Sequence, residues 1–137
     1  MRLLASILLL LALAEACTPG SSPTPTPSPM STQGVAVVFF DVGESGDGFL
    51  VVTREGKYML IDGGGRNSGI VSALKALKVP RLDAIVATNP DADHIGGLID
   101  VLKSFPIGEV WLSGDINTTM TFEDFVDAVK ASKAAVR

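Results

Sequence analysis

Hydrophobic and polar positions show two different patterns along residues 34–137, one typical of strands and one typical of helices. The first part contains three short apolar runs rich in β-branched and aromatic residues, and glycine-containing turns separate them. Such runs are typical of strands that follow one another in a meander. The three predicted strands cover residues 34–43, 49–54 and 57–62. After the glycines at 63–65 the apolar residues recur at helical spacing instead.

The second part of this segment alternates between predicted helices and strands. Apolar residues three and four positions apart predict three helices, the first of which ends at Pro80. Their apolar positions are Ile70, Val71, Leu74 and Leu77, then Ile95, Leu98, Ile99 and Leu102, and finally Phe122, Phe125, Val126 and Val129. Predicted strands at 82–88 and 109–112 separate the helices. Thr121, with an acidic residue three positions later, predicts the N-cap of the last helix, inside which the chain stops at Arg137.

The resulting order β-β-β-α-β-α-β-α predicts a mixed fold of the α/β (α+β) class. In such folds helices pack on a sheet, and functional groups gather at the carboxyl ends of strands. Hydrophobic residues make up 47% of the 137-residue chain, which is enough for one packed domain. We assign that domain to residues 34–137.

The N-terminal residues 1–16 have the pattern of a secretory signal peptide. Arg2 precedes an apolar or small run at 3–14, which is too short to span a bilayer and is typical of an h-region. In one interpretation, signal peptidase cleaves after Ala16 and leaves a free thiol on Cys17. In the other, the signal resembles that of bacterial lipoproteins, in which this cysteine is lipidated. A lone cysteine without a disulfide partner favours lipidation.

Residues 17–33 form a predicted tether between Cys17 and the folded domain. They are rich in Pro, Ser and Thr and contain no charged residue, so we expect an extended, semi-rigid spacer. The protein is therefore expected to be exported and held at the membrane by a lipid anchor. That places it at the bacterial cell surface or in the periplasm, or makes it a secreted protein if Cys17 is not lipidated.

The charge of the chain argues against one mode of nucleic-acid binding. The formal net charge is −4, and no cluster of Lys and Arg is present. Avid binding to a duplex requires a basic surface. A nucleic-acid substrate remains compatible with this charge, because a metal ion can hold a phosphate without a basic surface.

The densest group of polar side chains directly follows the predicted strand at 82–88. It consists of Asn89, Asp91, Asp93 and His94, the only histidine in the chain. Alternate residues after a strand can point to one side, so the first three can face one space while the imidazole faces a neighbouring ion. Carboxylates and neutral imidazole bind divalent metals, and two such ions can clamp a phosphoryl or acyl oxygen.

A second interpretation of this group is an ordinary polar loop. Asn-Pro-Asp favours a turn, and Asp93 can cap the helix that follows. The pair Gly96 and Gly97 allows a close approach of another backbone segment. Residue types alone leave the metal site and the polar loop open as alternatives.

The motif N-x-D-x-D-H-x-G-G at 89–97 resembles the first metal motif of the metallo-β-lactamase fold, His-x-His-x-Asp-His. It is most similar to the form His-x-Asp-x-Asp-His-x-Gly-Gly in the extracytoplasmic domain of ComEC-type DNA-uptake proteins. Two earlier stretches, FFDVGESGDGFLV and KYMLIDGG, are also similar to sequence motifs of that group. The chain from RLDAIVAT to FPIGEVWL is similar to that group as well. The resemblance covers residues 35–112.

This resemblance implies an αββα sandwich of two sheets, of which residues 34–137 are the N-terminal half. It implies a two-metal site at one edge, with Asn89 and Asp91 on the first ion and Asp93 and His94 on the second. Asp93 would also act as the catalytic residue that orients the bridging hydroxide. Both ions are expected in the full-length protein, as zinc or manganese.

Two further aspartates end predicted strands near this edge. We interpret Asp41 and Asp62 as structural residues whose carboxylates accept hydrogen bonds from loop N–H groups. They are not expected to be metal ligands.

The function implied by the resemblance is that of an exported metal-dependent hydrolase that cleaves phosphodiesters, with DNA as a possible substrate. The chain departs from the family in two ways. Asn89 replaces a histidine, which weakens the first site or shifts it towards manganese or magnesium. No histidine follows His94, so the ligands of the C-terminal half of the domain are missing; we expect a truncated reading frame, inactive by itself.

Two alternatives remain open at this point. One is a catalytically inactive binding or scaffold lipoprotein that keeps the fold and has lost the first metal. The other is a hydrolase of the same fold that acts on a lactam, lactone or thioester.

Overall fold

The computed structural model describes residues 34–43 and 46–137, so the signal peptide, the tether and Cys17 lie outside the described residues. Within the described ranges the chain forms six strands and three helices. These are β1 (Ala36–Phe39), β2 (Phe49–Val52), β3 (Tyr58–Ile61), α1 (Ile70–Ala76), β4 (Leu82–Ala87), α2 (Ala92–Ser104), β5 (Ile107–Leu112), α3 (Met120–Ser132) and β6 (Ala135–Val136). None of the helices in the described ranges is long and apolar enough to cross a membrane.

All six strands belong to one sheet, in the order β1-β2-β3-β4-β5-β6. The first three are antiparallel neighbours, as expected for strands joined by short turns. From β3 onward the pairs are parallel, and each of α1, α2 and α3 carries the chain back to start the next strand. The carboxyl ends of β3, β4 and β5 therefore lie at the same edge of the sheet, and the loops that follow them meet there.

The hydrophobic core lies between the helices and one face of this sheet. Its central row consists of paired residues from four neighbouring strands, all fully buried: Leu50, Leu60, Ile85 and Val110. The apolar stripe of α2 packs against them, and Phe125 brings α3 into the same core. The predicted mixed α/β fold class is confirmed, and the structure has one helix layer and one sheet layer.

The end of α1 differs from the prediction. The helix ends before Pro80 is reached, because Lys78 adopts a left-handed backbone conformation with φ of 57°. The N–H of Val79 then donates to the carbonyl of Leu74 at 3.1 Å, and that of Lys78 to Lys75 at 2.9 Å. These two bonds form a Schellman motif, so a local C-cap ends the helix and the proline only follows it.

Both ends of α3 also differ from the prediction. Thr119, not Thr121, is the N-cap, and its side-chain oxygen accepts a hydrogen bond from the N–H of Phe122 at 3.3 Å. The helix ends at Ser132, because Lys133 adopts a left-handed conformation with φ of 59°. The prediction that the chain stops inside this helix is therefore wrong, since residues 135–136 form β6 at the edge of the sheet.

Candidate metal centre

The polar loop that the sequence analysis singled out lies at the carboxyl end of β4 and leads directly into α2. Asp91 occupies the N-cap position of α2, with an extended backbone and no side-chain capping bond. Asp93 lies in the first turn, where a negative charge is favoured by the helix dipole. The suggestion that Asp93 caps α2 is therefore wrong, and neither carboxylate is used in a side-chain capping bond at this sheet edge.

A buried carboxylate forms the base of this site. Asp62 follows β3, and its residue surface is only 3% exposed. Its Oδ1 accepts from the N–H of Thr88 at 2.9 Å, and its Oδ2 accepts from the Thr88 hydroxyl at 2.6 Å. The same Oδ2 lies 2.8 Å from Nδ1 of His94. Parallel pairing of β3 with β4 brings these residues together, because both strands end at this edge.

The backbone of Asp62 is itself unusual. Its φ is 54°, a left-handed conformation that costs a residue other than glycine on the order of 1 kcal/mol. Such conformations concentrate at functional sites, where the surrounding structure holds them in place. Here the three hydrogen bonds of the carboxylate hold it.

The pairing with Asp62 determines which nitrogen of His94 is available. A carboxylate only accepts hydrogen bonds, so in the neutral imidazole Nδ1 carries the proton and Nε2 keeps a free lone pair. A histidine ligand typically has this arrangement, in which the second nitrogen donates to a carboxylate. The hydrogen bond that His94 donates to Asp62 raises the pKa of His94, partial burial opposes the rise, and the charges of Asp62, Asp93 and Asp91 add to it.

Asp93 is the second group that the structure places at this imidazole. Its Oδ2 lies 3.8 Å from Nε2 of His94, and its side chain is 46% exposed. The imidazole nitrogen and the carboxylate are thus adjacent and reachable from solvent. They fit two coordination positions of one divalent ion, such as zinc or manganese.

Asn89 and Asp91 lie in the same loop, but their polar atoms are engaged elsewhere. Oδ1 of Asn89 accepts from the N–H of Asp91 at 2.9 Å, which is a local Asx turn. Oδ1 of Asp91 accepts from the amide of Asn117 at 3.0 Å. Across residues 34–43 and 46–137, no three His, Cys, Asp or Glu side chains are grouped closely enough to hold one metal ion together. The residues present therefore fit part of a metal site.

Gly96 and Gly97 let α2 approach the loop after β3. A Cβ atom on Gly96 would lie 2.5 Å from the backbone nitrogen of Arg66, and one on Gly97 would overlap the carbonyl oxygen of Gly63. The N–H of Gly97 also donates to the carbonyl of Gly64 at 2.9 Å. This contact keeps the start of α2, and with it His94, against the loop that carries Asp62.

The remaining aspartate of the sequence analysis lies in the first turn. Oδ1 of Asp41 accepts from the N–H of Gly43 at 3.2 Å. This is a local hydrogen bond within the turn after β1. It is exposed and involves none of the side chains around His94.

Sequence reasoning missed two residues of this site. Thr88 completes the hydrogen bonds of Asp62, and Asn117 joins the loop after β5 to Asp91. The position of Thr88, directly after an apolar strand and before the motif, was a usable signal. No sequence signal pointed to Asn117, because its contact with Asp91 depends on how the loop before α3 crosses the sheet edge.

The fold and this edge site define a mixed α/β protein with a histidine and carboxylates at the ends of parallel strands. Residues 42–134 match the sequence profile of the metallo-β-lactamase superfamily, and the chain belongs to that superfamily. The superfamily consists in general of hydrolytic metalloenzymes that bind divalent metals.

Comparison with solved structures finds similar folds at low sequence identity. The chemotaxis sensor ODP in a peroxy diiron form is 21% identical, with a TM-score of 0.48, over 62% of this chain and 36% of that one. A metallo-β-lactamase from Hirschia baltica is 13% identical, with a TM-score of 0.41, over 74% of this chain and 44% of that one. The apo state of the sensor ODP from T. denticola is 20% identical, with a TM-score of 0.38, over 58% of this chain and 38% of that one.

The matched region thus spans 36% to 44% of the length of these three structures. No curated protein matches the chain.

Proposed function

We propose that this chain is the N-terminal part of an exported, metal-dependent hydrolase resembling the ComEC extracytoplasmic domain, and that its substrate is a phosphodiester such as DNA. The observation that carries the proposal is the arrangement around His94. One nitrogen is fixed by Asp62 at 2.8 Å, and the other lies 3.8 Å from the carboxylate of Asp93. Membership of a hydrolytic superfamily and the resemblance of residues 35–112 to ComEC-type proteins support the reaction class and the substrate respectively.

Each residue of the site has a defined role in this proposal. Nε2 of His94 and the carboxylate of Asp93 hold one divalent ion, and Asp62 keeps the imidazole in the tautomer that can bind it. Asn89 and Asp91 are the proposed ligands of a second ion. Bound ions would supply Lewis acidity and would make a water molecule more acidic at neutral pH.

The remaining ligands must come from outside the described residues. We assign them to the C-terminal half of the domain, in keeping with the resemblance. The nucleotide sequence that follows the codon for Arg137 tests this assignment. A continuing frame that encodes two further histidines and an intervening aspartate is expected.

Electrostatics explains why a phosphodiester would bind here only with metal. Asp91 is exposed, the side chain of Asp93 in the first turn of α2 is 46% exposed, and the chain carries a net charge of −4. These charges repel a phosphate in the absence of cations. Binding and cleavage should therefore depend on divalent metal ions, and added monovalent salt should not replace these ions.

Hydrolysis assays with the full-length protein test the proposal. The protein is loaded with Zn²⁺ or Mn²⁺ and offered bis(p-nitrophenyl) phosphate, single-stranded DNA, a β-lactam, a lactone and a thioester. We expect cleavage of the two phosphodiesters, with loss of activity in Asp93→Asn and His94→Gln. Asp100→Asn, an exposed carboxylate further along α2, is the matched control and should keep wild-type activity.

The other outcomes distinguish the alternatives. Cleavage of only the lactam, lactone or thioester would identify a hydrolase of the same fold with a different substrate. Absence of all hydrolysis in the metal-loaded full-length protein would contradict the enzyme proposal.

A catalytically inactive scaffold lipoprotein is the second candidate function. Asn89 favours it, because its amide oxygen already accepts the N–H of Asp91 and is a weaker metal ligand than imidazole. Metal analysis of the full-length protein separates the two candidates. Two bound ions per chain support the hydrolase, and none supports the scaffold.

The proposed location is the outer face of a bacterial membrane, through a lipid on Cys17. Labelling with radioactive palmitate in a bacterial host tests it. Wild-type protein should be labelled and recovered with membranes, whereas Cys17→Ser should be unlabelled. An unlabelled wild-type protein in the culture medium would contradict the anchor.

A further inference from the structure

A shallow cleft lies beside the motif loop, on the helix side of the sheet. Its floor is the register pair Ala87 and Leu112, at the ends of β4 and β5. Each of them follows a core residue, Ile85 or Val110, by two positions, so both point to the same face of the sheet as the core. The cleft is therefore not on the face on which a second sheet would pack.

The walls of the cleft are predominantly apolar. The motif loop contributes Pro90, the loop after β5 contributes Ile116, and α3 contributes Phe122 and Val126. Leu112 is 40% exposed and Ile116 is 85% exposed, so these apolar groups are accessible to solvent. The volume of about 190 Å³ equals that of about six water molecules at about 30 Å³ each, which suits one planar ring system.

The polar side chains of the cleft offer no positive charge. Oδ1 of Asn89 accepts the N–H of Asp91. Oγ of Ser113 accepts the N–H of Asp115 at 3.3 Å, and the carboxylate of Asp115 is exposed. None of the described residues that line the cleft is basic. An anionic phosphate is therefore disfavoured in the cleft, whereas burial favours a neutral ring with apolar faces.

The cleft adjoins the candidate metal centre. Asn89 and Pro90 line the cleft and directly precede Asp91 in the motif loop. The side-chain amide of Asn117 donates to Oδ1 of Asp91 at 3.0 Å, which joins the loop after β5 to the motif loop. A substrate whose phosphate lies at the metal centre can therefore place a neighbouring group in the cleft.

We propose that this cleft is a subsite for a nucleobase next to the phosphodiester bond that is cleaved. The inference rests on the proposed function and deepens it, because it assigns the substrate to the phosphodiesters that contain nucleotides. The phosphate is held at the metal centre, and the apolar walls contact the faces of the base. Phe122 and Pro90 provide rings for stacking. Since every base has a π-face, we expect a preference for nucleotides without a preference for one base sequence.

A dinucleotide and its abasic analogues test the subsite in the full-length protein loaded with Zn²⁺ or Mn²⁺. The substrates are the thymidine dinucleotide and the two analogues in which hydrogen replaces one or the other base. All three carry one phosphodiester, and chromatography follows their cleavage. For one of the analogues kcat/KM should be at least about fivefold lower, which is the lower end of what the stacking of one base contributes.

Charged substitutions in the cleft should remove this discrimination. Ile116→Asp and Leu112→Asp alter exposed lining residues, so both variants should fold and should cleave the dinucleotide no better than its poorer analogue. Met120→Asp is the matched control, because Met120 is 79% exposed and does not line the cleft. It should keep the wild-type ratio. Because the substrates have equal charge, repulsion by the new carboxylate cancels in the ratio. Circular dichroism verifies that each variant is folded.

A binding measurement without hydrolysis separates this inference from the proposed function. Metal-free full-length protein is mixed with thymidine or with deoxyribose, neither of which carries a phosphate. In saturation-transfer NMR the base protons of thymidine should respond in the wild type and in Met120→Asp, but not in Ile116→Asp, and deoxyribose should not respond. Such binding without cleavage of any substrate would contradict the hydrolase and support the subsite.

Two results would overturn the subsite. One is equal kcat/KM for the dinucleotide and both abasic analogues, which would leave the hydrolase supported. The other is thymidine contact that is absent from the wild type or unchanged in both Ile116→Asp and Leu112→Asp. Absence of thymidine contact together with absence of all cleavage would contradict the subsite and the hydrolase alike.

Discussion

The carboxylate of Asp62 lies 2.8 Å from Nδ1 of His94, although the two residues are 32 positions apart in the chain. Parallel pairing of β3 with β4 makes this contact possible, because both strands end at the same edge of the sheet. Gly96 and Gly97 then allow α2 to lie against the loop after β3. The pair converts the only histidine of the chain into a group with one fixed nitrogen and one free nitrogen.

The first prediction concerns the pKa of His94. In metal-free protein this pKa should lie above its ordinary value near 6.5, because the hydrogen bond to Asp62 stabilises the protonated ring. Asp62→Asn should lower it towards that value, and asparagine tolerates the left-handed backbone at this position. A proton NMR titration of the 137-residue chain measures the pKa without ambiguity, since His94 is the only histidine in that sequence. Equal pKa values in the two proteins would contradict the assigned contact.

The second prediction is the pH dependence of stability in the metal-free protein. Because the folded-state pKa of His94 is raised, its stabilisation is fully present below the unfolded-state pKa near 6.5. It is lost as the pH rises through the folded-state pKa. Urea unfolding with EDTA, followed by circular dichroism, should show a free energy of unfolding that falls over this range. Asp62→Asn should flatten that fall; an unchanged slope would show that another group causes it.

The third prediction tests the close approach of α2 to the loop after β3. Gly97→Ala should destabilise the fold by about 1–3 kcal/mol or more, because the added methyl group overlaps the carbonyl of Gly63. Gly65→Ala is the matched control in the same loop, since a Cβ there meets nothing within 4 Å. Its unfolding free energy should stay within about 0.5 kcal/mol of the wild type. Equal effects of the two substitutions would contradict the packing described.

Much of the fold follows from hydrophobic periodicity alone. The stripe at Ile95, Leu98, Ile99 and Leu102 predicts α2 because helix burial imposes that spacing, and all four residues are buried. Helix ends were harder to predict. Thr119 and Thr121 are equally suitable caps by residue type, and the loop before α3 decides between them. There the side-chain oxygen of Asn117 accepts the N–H groups of Thr118 and Thr119.

The candidate site was predictable in position but not in its contacts. Polar residues directly after a parallel strand place the loop at the sheet edge, which periodicity can indicate. The partnership of Asp62 with His94 depends on which strands are neighbours, and that is a property of the whole sheet. The bonds of Asn89 and Asp91 depend on short-range turn geometry and on Asn117 from a distant loop. The Asn-Pro-Asp stretch does predict the local turn at Asn89, but single-sequence patterns carry no information on the neighbouring strands or on Asn117.

The central claim is that Asp93 and His94 hold a divalent metal ion, and that the hydrogen bond to Asp62 orients the imidazole of His94. Calorimetric titration of the full-length protein with Zn²⁺ and Mn²⁺ tests it most directly, with Asp100→Asn as the matched control. Binding should be lost in Asp93→Asn and His94→Gln, weakened about 10- to 100-fold in Asp62→Asn, and unchanged in the control. Equal affinity of the wild type, His94→Gln and Asp93→Asn for both metals would contradict the account.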